Sequence, residues 1–121
     1  MESLILNENN PAVVKPWGYY EVLVQGEYYL TKRLTIKPGE KTSLQYHNHR
    51  AEYLVVVAGQ STIQIEKLKM IVGTGGQFLI ERGTQHQIAN DGEVDLVIIE
   101  TQLGDVIDEN DIVRINDPYG R

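Results

Sequence analysis

Three histidines, His47, His49 and His86, are the only imidazoles in this 121-residue chain, and each falls in one of two short glycine-bracketed motifs. The first runs from Gly39 through Gln45-Tyr46-His47-Asn48-His49-Arg50-Ala51-Glu52 to Gly59. The second runs from Gly75 through Glu81-Arg82-Gly83 to His86 and Asn90. His47, His49, His86 and Glu52 together form a three-imidazole, one-carboxylate set. Such a set suits one divalent transition ion with open coordination positions, whether Zn, Mn, Fe, Co or Ni. Imidazole ligates only when neutral, so binding should weaken as pH falls through about 6.5. Gln45 has the same strand parity as His47 and His49, and is either an alternative ligand or an inward polar residue.

Strands must position these groups, because the chain reads as strand and turn almost throughout. Segments 19–25, 28–36, 52–58, 61–68, 77–80, 86–89 and 94–101 are rich in β-branched and aromatic residues. Thr62-Ile63-Gln64-Ile65-Glu66 alternates as a half-buried strand does, and Leu96-Val97-Ile98-Ile99 reads as a strand covered on both faces. Turn residues punctuate them at Lys37-Pro38-Gly39, Ala58-Gly59-Gln60, Gly73-Thr74-Gly75-Gly76 and Asn90-Asp91-Gly92, the last predicting a tight hairpin. Only 104–112 reads as a short helix. The sum is an all-β sandwich or barrel in one domain.

Residues two apart on a strand share a face, so Gln45, His47 and His49 should project together. Glu52 has the opposite parity, and a kink at Arg50-Ala51 is needed to bring it to the same ion. Tyr53, next to Glu52, should then point away from the metal. Gly83 permits the sharp bend that lets His86 open the next strand.

Composition narrows the function classes. A net charge of -6 argues against nucleic acid and anionic membrane as partners, yet leaves room for an anionic small substrate held by a local Arg cluster. There is no cysteine, hence no disulfide or thiolate site. No basic leader with an apolar run and no apolar stretch of spanning length is found, so a cytoplasmic protein is expected.

The two motifs resemble the paired motifs of the cupins, which implies a small double-stranded β-helix, a jelly-roll-like barrel, with a metal in its mouth. The match sharpens at Lys15-Pro16-Trp17-Gly18-Tyr19-Tyr20-Glu21, at 32–39, at 43–52 and at Asp111-Ile112-Val113-Arg114 with the Tyr119-Gly120-Arg121 ending. There the chain resembles the C-terminal cupin domain of type II mannose-6-phosphate isomerases, often fused behind a mannose-1-phosphate guanylyltransferase domain. The resemblance covers about Val13 to Arg121. By resemblance a homodimer is also expected, with residues 1–12 as an arm that partners can exchange.

What the resemblance implies is an aldose–ketose isomerase converting mannose 6-phosphate to fructose 6-phosphate in polysaccharide biosynthesis. Arg50 would contact the phosphate or the enediolate, and Arg33, Arg114 and Arg121 would complete a bidentate phosphate-binding cluster. With four ligands committed to the metal, the base candidates are Glu81, Tyr53, Glu40 or a metal-bound hydroxide. The chain also departs from the pattern. Tyr53-Leu54 stands where the family usually has His-Trp, which favours a rival reading: a metal-binding sugar or sugar-phosphate module without turnover. Glu81 replaces the usual Pro and places a carboxylate at the barrel rim. The nucleotidyltransferase part lies outside these residues, so guanylyltransferase activity is not expected. A small cupin dioxygenase is a further alternative, since the ligand set also suits Fe(II).

Overall fold

A computed structural model of the protein describes residues 11–120. The strands are β1 (Val13–Lys15), β2 (Gly18–Gln25), β3 (Tyr29–Ile36), β4 (Leu44–Tyr46), β5 (Arg50–Ala58), β6 (Gln60–Ile65), β7 (Leu68–Gly73), β8 (Gln77–Ile80), β9 (His86–Ala89), β10 (Leu96–Gly104) and β11 (Val113–Asn116). They form two antiparallel sheets, one ordered β1-β2-β3-β10-β5-β8 and the other β11-β4-β9-β6-β7. The all-β expectation holds. No helix of the described residues is long and apolar enough to cross a membrane. Residues 1–10 of the expected exchange arm, and Arg121, lie outside the described residues.

The inward faces of three adjacent strands explain where a site can form. In β3 the inward residues run Leu30, Lys32, Leu34, Ile36; in β5 they run Arg50, Glu52, Leu54, Val56; in β10 they run Leu96, Ile98, Glu100, Gln102. Pairing is antiparallel, with Leu96 opposite Ile36 and Gln102 opposite both Leu30 and Glu52. Register therefore gathers Ile36, Leu54, Val56, Leu96 and Ile98 at one end, where Ile63 of β6 joins them in a dry core. The same register gathers Lys32, Arg50, Glu52, Glu100 and Gln102 at the other end. One barrel thus has an apolar half that holds the sheets together and a polar half that opens as a cavity.

Four local expectations are corrected. Asn90-Asp91-Gly92 is not a tight hairpin: β9 and β10 belong to different sheets, and 90–95 crosses between them. Asn90 is instead a buried tie, donating to the Ile36 and Val94 carbonyls at 2.8 Å each and accepting from Gly92 at 2.9 Å. Segment 104–112 is not helical; β10 continues to Gly104 and a loop follows. Its reason is the side chain of Asp111, which bonds backbone amides elsewhere rather than capping a helix start. Segment 61–68 is two strands, because Ile65 pairs with Leu68 around a two-residue turn in which Glu66 adopts φ 55°. No turn residue marks that hairpin; the Glu66 amide and carboxylate are both held by Gln85 backbone groups. Finally, 96–99 is covered on one face only, with Leu96 and Ile98 buried and Val97 and Ile99 half-buried.

Candidate active site

The polar end of the barrel encloses a cavity of about 250 Å³ bordered by His47, Arg50, Glu52, His86, Lys32 and Glu100, with Gln45 and Arg114 also on its wall. β4 ends at Tyr46, and the chain bends at Asn48-His49. The Asp111 carboxylate makes that bend by accepting the Asn48 amide at 2.8 Å and the His49 amide at 2.9 Å. The predicted kink therefore exists, but it comes before Arg50 rather than at Arg50-Ala51. This shift resets the parity of everything that follows. Arg50 and Glu52 face inward on β5, and His49 is turned out to solvent in a shallow recess beside Asp108 and Asp111.

His47, Glu52 and His86 come together, with ligating atoms within 4.8 Å of one another and all three side chains buried. The structure does not bring His49 to them, which corrects the four-residue expectation to three. Glu52 bridges the imidazoles: its Oε2 lies 3.3 Å from His47 Nε2 and its Oε1 lies 3.6 Å from His86 Nε2. His86 reaches this point because Gly83, at φ 76°, bends the chain while its amide donates to the His47 carbonyl at 2.8 Å. The two motifs are thereby tied backbone to backbone.

Hydrogen bonding fixes the tautomers. His47 Nδ1 lies 2.7 Å from the Asp111 carbonyl, and His86 Nδ1 lies 2.9 Å from the Thr84 carbonyl. A carbonyl can only accept, so each Nδ1 carries a proton and each Nε2 is the ring nitrogen turned towards Glu52. Burial, opposed by the Glu52 charge, holds the His47 pKa below its ordinary value. Burial alone would raise the Glu52 pKa, but His47, Arg50 and His86 outweigh it and hold the carboxyl below the usual range. Two imidazoles and one carboxylate, the imidazoles oriented by carbonyl partners, fit a divalent ion with nitrogen and oxygen ligands. Gln45 stands at the edge of the cluster, 3.4 Å from His47 Nε2, with its own oxygen accepting the Ser43 hydroxyl.

Arg50 is buried and in direct contact with the cluster. Its Nε donates to Glu52 Oε2 at 3.0 Å, its Nη2 forms an ion pair with the same oxygen at 2.9 Å and lies 3.4 Å from His47 Nε2, and its Nη1 donates to the Asp108 carbonyl at 3.3 Å. Of the other expected phosphate-binding residues, Arg114 is on the cavity wall because β11 pairs with β4 and sets Arg114 opposite Gln45. Arg33 is not. It has the outward parity of β3 and forms a two-point ion pair with Glu21, at 2.8 and 3.2 Å. The expected bases also lie elsewhere. Glu81 is exposed outside the cavity, Tyr53 is 48% exposed on the outer face of β5, and Glu40 accepts the Tyr119 hydroxyl.

Among the cavity residues missed in the sequence are Lys32 and Glu100. Both were legible in principle: each is a charge at the inward parity of an otherwise apolar strand, between Leu30 and Leu34 in one case and after Leu96 and Ile98 in the other. They face each other across the β3–β10 pairing, with the Lys32 ammonium 3.9 Å from Glu100 and 3.7 Å from Glu109. The same ammonium lies 4.1 Å over the Tyr20 ring.

Residues 5–117 match the family model described as mannose-6-phosphate isomerase C-terminal. The chain belongs to that family. Within it, the chain is 42% identical over 109 residues to the mannose-1-phosphate guanylyltransferase ManC of Salmonella typhimurium, covering 90% of this chain and 23% of that protein. It is 37% identical over 114 residues to the alginate biosynthesis protein AlgA of Pseudomonas aeruginosa, covering 94% of this chain and 24% of the relative. The chain thus spans about a quarter of the length of these curated relatives. Its fold is the cupin barrel: an RmlC-like cupin from Shewanella frigidimarina superposes with a TM-score of 0.74 at 12% identity, covering 85% of this chain and 89% of that one.

Proposed function

We propose that this mannose-6-phosphate isomerase C-terminal domain is a metal-dependent aldose–ketose isomerase acting on a sugar phosphate of the mannose 6-phosphate type. The observation that carries the reading is the convergence of two Nε2 atoms, the Glu52 carboxylate and the Arg50 guanidinium in one buried cavity. His47, Glu52 and His86 would hold the ion, which when bound supplies Lewis-acid polarisation of the substrate carbonyl. Arg50 adds a fixed positive charge beside developing enediolate oxygens, in a site where low water content strengthens it. Arg114 on β11 and Lys15 on β1, from the two different sheets, both line the cavity and offer the cations by which a phosphate would be held. The chain's substitution of Tyr for His at position 53 falls on the outer face, so it removes nothing from the cavity.

The rival is a sugar-phosphate-binding module without turnover. It draws support from relatives named as guanylyltransferases, of which this chain corresponds to about a quarter. A coupled assay separates the two. Protein loaded with Zn, Mn, Fe, Co or Ni should convert mannose 6-phosphate to fructose 6-phosphate, and a His86→Ala control should not. Sugar-phosphate binding with turnover no greater than the His86→Ala control would replace the enzyme with the binding module.

A further inference from the structure

An aldose–ketose isomerisation needs a base within reach of C1 and C2, and the residues first expected to supply it all lie outside the cavity. Three carboxylates line it: Glu52, Glu100 and Glu109. Glu52 is committed to Arg50 and the two imidazoles. Glu109 sits on the loop after β10 with its side chain 52% exposed, where water competes for any proton it carries. Glu100 differs from both. Its side chain is 5% exposed, fixed on the central strand of its sheet, and held by a single short hydrogen bond from Gln102 Nε2 at 2.8 Å.

Register places Glu100 well with respect to the cluster. Gln102 is directly opposite Glu52, so Glu100 is the diagonal neighbour on the same inward face. Such diagonals are separated by roughly 7–8 Å, which leaves room for two substrate carbons between Glu100 and the Glu52 cluster. We propose that Glu100 is the general base that moves hydrogen between C2 and C1, an inference that rests on the isomerase reading above. Its carboxylate takes the C2 hydrogen of the open-chain aldose as a proton. The C–H electron pair becomes the C1–C2 double bond and the carbonyl pair moves onto O1, which takes up a proton. The Glu100 carboxyl then returns its proton to C1 as O2 loses a proton and becomes the ketose carbonyl. One hydrogen passes from C2 to C1 and one proton from O2 to O1, with no oxidant or reductant required. With no ion bound, burial and the nearby Glu52 charge push the Glu100 pKa up against the pull of Lys32 and Gln102.

The test is Glu100→Gln, which keeps the shape and the hydrogen-bonding partner while removing the proton acceptor. Three readouts are taken on the metal-loaded full chain: turnover of mannose 6-phosphate, exchange of the C2 hydrogen with D2O by NMR, and fructose 6-phosphate affinity by calorimetry. Turnover and C2 exchange should fall together by about 10²- to 10⁴-fold while affinity and metal content stay near the parent's. If turnover stays within about tenfold of the parent, or if affinity and metal content fall with it, the base assignment is overturned. Should Glu100→Gln not fold, Glu100→Asp carries the test: a lower kcat at unchanged KM supports the assignment and an unchanged kcat overturns it. An inactive parent overturns the isomerase reading and this inference with it, whereas an active parent with an active Glu100→Gln overturns the base alone.

Discussion

At the scale of single residues, the instructive contrast is between two histidines two positions apart. His47 is 3% exposed with both ring nitrogens engaged, whereas His49 is exposed beside Asp111. If the ion needs only the buried three, His86→Ala should abolish binding of Zn or Co, and His49→Ala should leave the affinity within about threefold of the parent. Calorimetric titration of the metal-free protein reads both, and an equal loss in the two variants would restore the four-ligand set. Arg50→Lys tests a neighbouring point. An exposed Arg would tolerate this change, but Arg50 makes three buried contacts through a planar fork that lysine cannot reproduce. The substitution should cost about 1–3 kcal/mol of stability in urea unfolding, in addition to weakening fructose 6-phosphate binding.

At the scale of elements, the strands were legible where composition and periodicity agreed, as in β8 and β9, whose limits match the sequence reading. They were not legible where tertiary contacts override local signals. The β6–β7 turn has no glycine because Gln85 holds Glu66 from outside, and the bend after His47 is set by Asp111, 62 residues downstream of His49. Parity counting across an unbroken strand could not foresee either. The candidate site divides in the same way: motif residues His47, Glu52 and His86 were found, while Lys32 and Glu100 belong to no motif and emerge only from sheet register. Gly59 and Gly75 test how turns fix that register. Both have positive φ, 84° and 88°, yet a Cβ at Gly59 would lie 2.6 Å from the Asp95 carbonyl oxygen while Gly75 faces open space. Gly75→Ala should cost about 1–2 kcal/mol, the ordinary penalty of left-handed backbone. Gly59→Ala should cost clearly more, because the β10 entry must move as well; equal melting temperatures for the two variants would contradict the close approach.

At the scale of the whole molecule, the barrel is built around buried charge at one end, and this makes its stability depend on pH. The Asp111 carboxyl would be raised by desolvation, but the Asn48 and His49 amides hold it below its ordinary value. Glu52 is also held below, by His47, Arg50 and His86 against the effect of burial. For a carboxyl depressed in the folded state, the unfolded chain binds more protons as pH falls. Its stabilisation is therefore complete above the ordinary carboxylate range and is lost as pH drops through that range to the folded value. His47 adds a loss of the same sign at higher pH: its folded pKa is depressed, so the unfolded chain protonates first once pH falls below about 6.5. Glu100 works the other way, since its raised pKa of about 7 favours folding under acid conditions. Between about pH 6.5 and 4.5 the His47 loss and the Glu100 gain oppose each other, so metal-free protein should hold its stability there and lose it below about pH 4.5, where Asp111 and Glu52 act. Urea midpoints across pH 3–8 read this directly, and Glu100→Gln supplies the internal check. Removing the one raised carboxyl should leave the His47 loss unopposed, so that stability falls from about pH 6.5 downward, and leave the acid limb, which belongs to Asp111 and Glu52, unchanged. An acid limb that vanished with Glu100→Gln would mean that the buried Lys32–Glu100 pair, rather than the Asp111 bend and the Glu52 cluster, sets the acid limit of the fold.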